Sequence, residues 1–380
     1  MLDGRQGSRT GVSRRLVTAL PVLLASGAAR AAASPDLNAT LERAMSGHEV
    51  PGLAALVIRD LKAGGEAVRG VRRIGEADPV RPGDRWLLGS NGKAMTATLV
   101  ARLVDRGKLS WDTPLERMLP QLSAGMRPEY RGVTLVDLLS HRAGLPENLG
   151  DEAYFRSLYD DPRPPAAQRL AYIQRALAEA PIGPVRGKPS YSNTGFVTAG
   201  VVAERAADSD YEALMEQEVF RPLGMTSAYF LPWRPPGPVG HVDRRPALRK
   251  YDPNPPMLDP AGGASMSLPD WAKFCIDQLA GARGQGRLLT PASYRRLQTD
   301  HDDGFGFGLG WGVSDKVLGR QGPALTHSGS DGNWYAVVVL LPQGGDGVLV
   351  AANAADSMGG DRAAVAVARE VLATLAPPAA

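Results

Sequence analysis

Short apolar runs of strand length stand at both ends of this chain with helical spacing between them, and that order allows few architectures. Gly52 to Arg59 is an apolar run consistent with a buried strand, and Glu66 to Ile74 can pair beside it across an Ala63-Gly64-Gly65 turn. Strand signals return at Gly308 to Val313, Trp334 to Leu341 and Gly347 to Ala352, the last two joined by Pro342 to Asp346. Helical spacing marks Leu37 to Met45, Ser90 to Asp105, Leu135 to Ser140, Gln168 to Ala180, Gly195 to Ala206, Tyr211 to Phe220 and Arg362 to Leu375. The pattern predicts an α+β fold: an antiparallel β-sheet flanked by helices and built from both chain ends, with an all-α lobe inserted. The sheet lobe is expected over about 36–85 and 262–375 and the helical lobe over about 86–261, with a cleft between them. Leu231 to Pro260 holds nine prolines, too many for a regular helix or a central strand, and reads as a rigid loop over the cleft or a surface excursion.

At 380 residues, 43% apolar and 22% charged, the chain can bury a large core, which excludes collagen-like, disordered and disulfide-scaffold classes. Its single cysteine, Cys275, excludes an intrachain disulfide and a thiolate metal cluster, and with Trp271, Phe274 and Leu279 around it reads as a buried thiol. The formal charge of +3 is concentrated at the front, where residues 1–33 carry five arginines against Asp3. That basic stretch, the weakly apolar run Leu16 to Ala29 and Ala31-Ala32-Ala33 predict a signal peptide cleaved after Ala33. Ser13-Arg14-Arg15-Leu16-Val17 is similar to a twin-arginine export signal. Without residues 1–33 the formal charge falls to −1. The expected mature unit, residues 34–375, is therefore exported, periplasmic or extracellular. It has no lipidated cysteine or second apolar span to anchor it, and its scattered arginines form no nucleic-acid face.

Ser90-Asn91-Gly92-Lys93 opens an apolar helix. Three-residue spacing puts both side chains on one helix face, so the Lys93 amine can reach the Ser90 hydroxyl. A serine hydroxyl needs a neighbouring base, and a lysine can serve when burial lowers its pKa. The helix N-terminus adds a positive dipole end where charge would develop on a substrate. Chance supplies about 0.4 copies of this spacing, so on its own it also fits a capping serine with an exposed lysine. Tyr191-Ser192-Asn193 precedes another helix and His327-Ser328-Gly329 precedes a strand-like run, with chance expectations of about 0.2 and 0.6. The three together have an expectation of about 0.04 before order is considered. A nucleophile elbow, a paired-histidine zinc motif and a phosphate-binding lysine loop are all missing from the sequence.

With these motifs the chain resembles the serine β-lactamase and penicillin-binding-protein-like hydrolases, particularly class C β-lactamases, D-amino-acid peptidases and family VIII carboxylesterases. The likeness runs from about residue 37 to 370. It includes Trp86 to Lys93, Arg106 to Pro114, Val133 to Leu145, Tyr191 to Gly195, Phe220 to Met225, Gly262-Gly263 before Ser265, and Phe307 to Trp311. The resemblance implies Ser90 as nucleophile, Lys93 as its proton acceptor or electrostatic helper, and Tyr191 as a shared general base and acid, a tyrosinate beside an ammonium being plausible. It implies Asn193 as a partner of Lys93 and of the substrate carbonyl. The backbone N–H groups of Ser90 and Ser330 become the oxyanion hole beside Gly329, and His327 lines the cleft where β-lactamases place a cation. A neutral histidine there holds a substrate carboxylate less firmly, which favours an esterase or peptidase over an efficient β-lactamase. His141, in Ser140-His-Arg-Ala-Gly144, reads as structural.

The leading expectation is an exported serine hydrolase that acylates Ser90. Its substrate is a small molecule or short peptide, with esters, D-amino-acid peptides and β-lactams in that order and peptidoglycan fragments among the candidates. No metal or cofactor is required. The alternative is a catalytically silent cell-wall peptide-binding protein on the same fold.

Overall fold

The computed structural model describes residues 36–230, 237–249, 252–301, 304–317 and 320–375, so the predicted signal peptide lies outside the described residues. Their strands, in chain order, are β1 (Gly52–Arg59), β2 (Lys62–Gly70), β3 (Arg85–Leu87), β4 (Tyr229–Phe230), β5 (His241–Val242), β6 (Arg245–Pro246), β7 (Ala264–Ser267), β8 (Gly312–Val317), β9 (Arg320–Ser330), β10 (Tyr335–Leu341) and β11 (Asp346–Ala352). The main sheet runs β2-β1-β11-β10-β9-β8 with antiparallel neighbours, so β1 pairs with β11 and the two ends of the chain close one sheet. This is the α+β arrangement expected from the sequence.

Alternation along the strands divides the core into two layers. Val337, Val339, Val348 and Val350 face Leu41 of the helix Leu37–Met45 and Val367 and Val371 of the helix Gly360–Thr374. Their neighbours Ala336, Val338, Leu340 and Leu349 point the other way, toward Trp271, Phe274 and the buried Cys275 of the helix Leu268–Ala282. The helix Gly92–Asp105 lies on this second side. Eleven of its 14 residues are buried, as a helix enclosed on every face requires. Thr96 and Thr98 satisfy their hydroxyls there by donating to the carbonyls of Gly92 and Ala94.

Three local expectations are corrected. The β1–β2 turn is Asp60-Leu61, with φ of 44° and 60°, the double positive φ of a two-residue hairpin turn. The Ala63-Gly64-Gly65 stretch lies inside β2, where the register shifts and a Cβ on Gly64 would approach the Val57 carbonyl to 3.0 Å. The strand expected at Gly308 to Val313 begins only at Gly312, because Gly310 turns at φ 76° to lie against the helix Gly92–Asp105, where a Cβ would meet the Lys93 carbonyl oxygen at 2.7 Å. His327-Ser328-Gly329 does not merely precede a strand but forms the end of β9. Among the described residues no helix is long and apolar enough to cross a membrane.

Candidate active site

The chain leaves β3 at Leu88, whose N–H donates to the Ala264 carbonyl, and turns sharply through Gly89–Asn91 into the helix Gly92–Asp105. Gly89 sits at φ 52°. A Cβ there would lie 2.6 Å from the Ser330 backbone nitrogen. The approach is reciprocal: a Cβ on Gly329 would lie 2.5 Å from the Ser90 backbone nitrogen, and one on Gly262 would lie 3.2 Å from it. Glycine is required at these positions because the backbone of the Gly89–Asn91 turn is pressed between β9 and the Asp259–Gly262 turn.

Ser90 remains partly accessible while Lys93 beneath it is fully enclosed. Lys93 Nζ lies 3.1 Å from Ser90 Oγ, 2.7 Å from Asn193 Oδ1 and 2.7 Å from the Ala261 carbonyl oxygen. The Tyr191 hydroxyl donates to Ser90 Oγ at 2.6 Å. Burial lowers the Lys93 pKa to about 7, partly opposed by Glu147, and burial pushes the Tyr191 phenol upward. Both effects favour the neutral pair, so the tyrosinate beside an ammonium is the disfavoured state. A neutral amine has two hydrogens and a lone pair. The two short contacts to Asn193 and Ala261 take the hydrogens, leaving the lone pair directed at Ser90 Oγ.

Asn193 opens the helix Asn193–Ala207, and the preceding Ser192 caps that helix by accepting from the Gly195 N–H at 2.9 Å. The lysine and Asn148 set the rotamer of Asn193: its Oδ1 accepts from Lys93, and its Nδ2 donates to Asn148 Oδ1 at 3.2 Å. His141 lies beneath Tyr191, with ring centroids 4.6 Å apart and planes 32° apart. Its Nδ1 accepts from the Ser192 N–H at 3.0 Å. Burial drives its pKa well below the ordinary value, so the ring is a neutral support for Tyr191.

On β9, His327 pairs across from Val338 and Gly329 from Ala336, so both share the face that looks toward the helix Gly92–Asp105. His327 is buried, and Nδ1 donates to the Ser328 carbonyl at 2.7 Å. Burial first, and the charge that Lys93 carries when protonated second, lower its pKa to about 4, so it is a neutral imidazole at pH 7. Ser330 contributes no side chain to the serine; its Oγ accepts from the Gly332 N–H at 3.0 Å, while its backbone nitrogen sits against Gly89.

Sequence reasoning missed two participants. The Ala261 carbonyl has no side-chain signature, and only Gly262-Gly263 beside it hinted that this turn approaches another backbone. Asn148 lies in a loop with no motif of its own. Thr96 braces the Ala261 turn, its Oγ1 lying 2.7 Å from both the Pro260 carbonyl and the Tyr211 hydroxyl.

The Beta-lactamase family model matches residues 37–373. The chain belongs to the beta-lactamase family. Among its relatives, penicillin-binding protein 4 of Amycolatopsis lactamdurans is 29% identical over 324 residues, covering 80% of each chain. Esterase EstB of Burkholderia gladioli is 28% identical over 241 residues, which is 62% of this chain and 59% of that protein. The structure of the octameric penicillin-binding protein homologue from Pyrococcus abyssi superposes with a TM-score of 0.72 over 88% of this chain and 76% of that one, and its 23% identity makes this a likeness of fold.

Proposed function

We propose that this protein is a serine hydrolase that works through an acyl-enzyme on Ser90. The observation that carries the reading is the convergence on Ser90 Oγ of a fully buried amine at 3.1 Å and a phenol at 2.6 Å. Neutral Lys93 takes the hydroxyl proton as Oγ attacks the substrate carbonyl carbon. The tetrahedral oxyanion is received by the backbone N–H groups of Ser90 and Ser330, brought together by the glycine contacts between Gly89 and Gly329. As the bond to the leaving group breaks, the Tyr191 hydroxyl donates its proton to that group and is reprotonated from Lys93. Water then attacks the acyl ester, giving up a proton to the same pair, and Ser90 leaves with its proton restored.

The substrate class follows from the third motif. A neutral His327 offers no fixed cation for a substrate carboxylate, which supports esters first, D-amino-acid peptides second and β-lactams third. The relatives include both an esterase and a penicillin-binding protein, so they support hydrolysis of either class without ranking them. Export belongs to the same reading, supported by the composition of residues 1–33, and N-terminal sequencing of the native protein checks it.

The test is a panel of p-nitrophenyl butyrate, a D-alanyl anilide and nitrocefin, with intact-mass detection of the acyl-enzyme. Turnover is expected to be highest on the ester, with a mass adduct at Ser90. A protein that neither turns over any of the three nor acquires an adduct is not an acyl-transfer enzyme. In the same panel His327→Lys is expected to raise nitrocefin turnover relative to ester turnover by about tenfold, the scale of one charge-assisted hydrogen bond. An unchanged ratio removes His327 from the substrate's path.

A further inference from the structure

Asn91 ends the short turn Gly89–Asn91 that runs into the helix Gly92–Asp105, and its own backbone is already helical, at φ −61° and ψ −22°. It makes no capping bond. The side chain turns away and is buried, and Nδ2 donates to the Leu88 carbonyl at 2.7 Å and to the Ala336 carbonyl of β10 at 3.2 Å. Both neighbours are acceptors, which settles which end of the amide faces them. Its Oδ1 is buried with no hydrogen-bond partner among the described residues. Stability alone does not account for a residue that leaves a buried acceptor unsatisfied.

The two carbonyls that Asn91 joins belong to the two parts of the proposed oxyanion hole. Leu88 opens the turn that carries the Ser90 N–H. Ala336 is the cross-strand partner of Gly329, and the next pair in the register joins Tyr335 to Ser330. No other side chain in the Gly89–Asn91 turn bridges to the sheet among the hydrogen bonds of the described residues, and glycines supply the rest of that contact.

We propose that Asn91 is a positioning residue that sets the separation between the Ser90 and Ser330 backbone donors; this rests on the acyl-enzyme reading above. It touches no reacting atom. Its effect falls on the tetrahedral oxygen rather than on the bound substrate.

The experiment compares wild type with Asn91→Leu, of similar volume and without a donor, and with Asn91→Ala. It measures kcat and KM on p-nitrophenyl butyrate, inhibition by a simple phenylboronic acid that forms a tetrahedral adduct on serine, the infrared carbonyl stretch of the acyl-enzyme, and Tm. Expected are a kcat lower by about tenfold to a hundredfold with KM within about twofold, boronate affinity weakened in step, and an acyl carbonyl stretch moved to higher frequency. Tm is expected to fall by no more than a few degrees, because the loss of a donor to the Leu88 and Ala336 carbonyls is partly offset by removal of the unsatisfied Oδ1. Folded variants with unchanged kcat, boronate affinity and carbonyl frequency overturn the proposal. So do variants whose activity falls only as far as their folded fraction, the behaviour of a merely structural residue. If wild type itself forms neither the boronate adduct nor an acyl-enzyme, the acyl-enzyme reading fails. If wild type forms both and the Asn91 variants match it, only the role of Asn91 fails.

Discussion

Exchange of Ser90 for alanine is expected to abolish covalent labelling by a fluorophosphonate and to lower ester turnover by about 10³-fold or more, with no loss of fold. The geometry makes this a sharp test. Lys93 and Asn193 hold one another without Ser90, since Lys93 keeps its contacts to Asn193 and Ala261 when the hydroxyl is removed, and the Tyr191 ring keeps its place against His141. The variant therefore retains its cleft and loses only the atom on which the acyl group is carried. Intact-mass spectra decide the matter: a full adduct on the Ser90→Ala protein would locate the nucleophile elsewhere.

A comparable effect is expected from the proton acceptor, and its signature is a pH dependence. With the Lys93 pKa near 7, kcat/KM should rise about tenfold per pH unit below that value and level off above it, as the amine loses its proton. Lys93→Met should lower kcat by about 10²- to 10⁴-fold and erase that limb. Asp331, one residue beyond Ser330 and raised to about 6 by burial, and Glu147, raised by burial and facing Lys93, also titrate nearby. A limb that persists in Lys93→Met belongs to Asp331 or another group, and the lysine is then not the base.

Stability should follow the same proton with a definite sign. An unfolded lysine titrates near 10.4. The folded value near 7 is lower, so between those limits the unfolded chain binds more protons than the native one. The cost of burying Lys93 is present in full below about pH 7 and is relieved as the pH rises toward 10.4. Lys93→Met should therefore stabilise the protein more at pH 6 than at pH 9.5, when both proteins are compared by urea unfolding. A difference that does not change with pH would mean that Lys93 is not desolvated in the native state.

The serine-lysine spacing, the tyrosine-asparagine pair and the histidine motif were readable along the chain because each is carried by side chains at short, fixed separations. The two-ended sheet was readable for a similar reason, since Gly52–Arg59 and Tyr335–Leu341 are continuous apolar runs that only a buried strand accommodates. Strand β9 was not. Its sequence from Arg320 to Ser330 includes Pro323, Gly322 and Gly329 and has weak strand propensity, and it extends because β8 and β10 pair with it on either side. The hairpin turn at Asp60-Leu61 was hidden for the opposite reason: the nearby glycines advertised a turn, yet they serve close backbone approach inside β2.

By itself, then, the sequence determined the fold class and the Ser90–Lys93 pair, because periodicity and short spacings are local properties of the chain, while the place of Tyr191 and Asn193 beside them was implied by the family resemblance. Only the tertiary structure decided their protonation. Burial works in opposite directions on an amine and a phenol, lowering Lys93 to about 7 and raising Tyr191, and so favours the neutral pair over the ion pair. Tertiary structure alone also supplied the Ala261 carbonyl that orients the amine, the Asn91 bridge from the turn to the sheet, and the glycine contacts that bring the Ser90 and Ser330 backbones together. These are main-chain groups and desolvation effects contributed by segments distant in sequence, and they come into being only when the chain is packed.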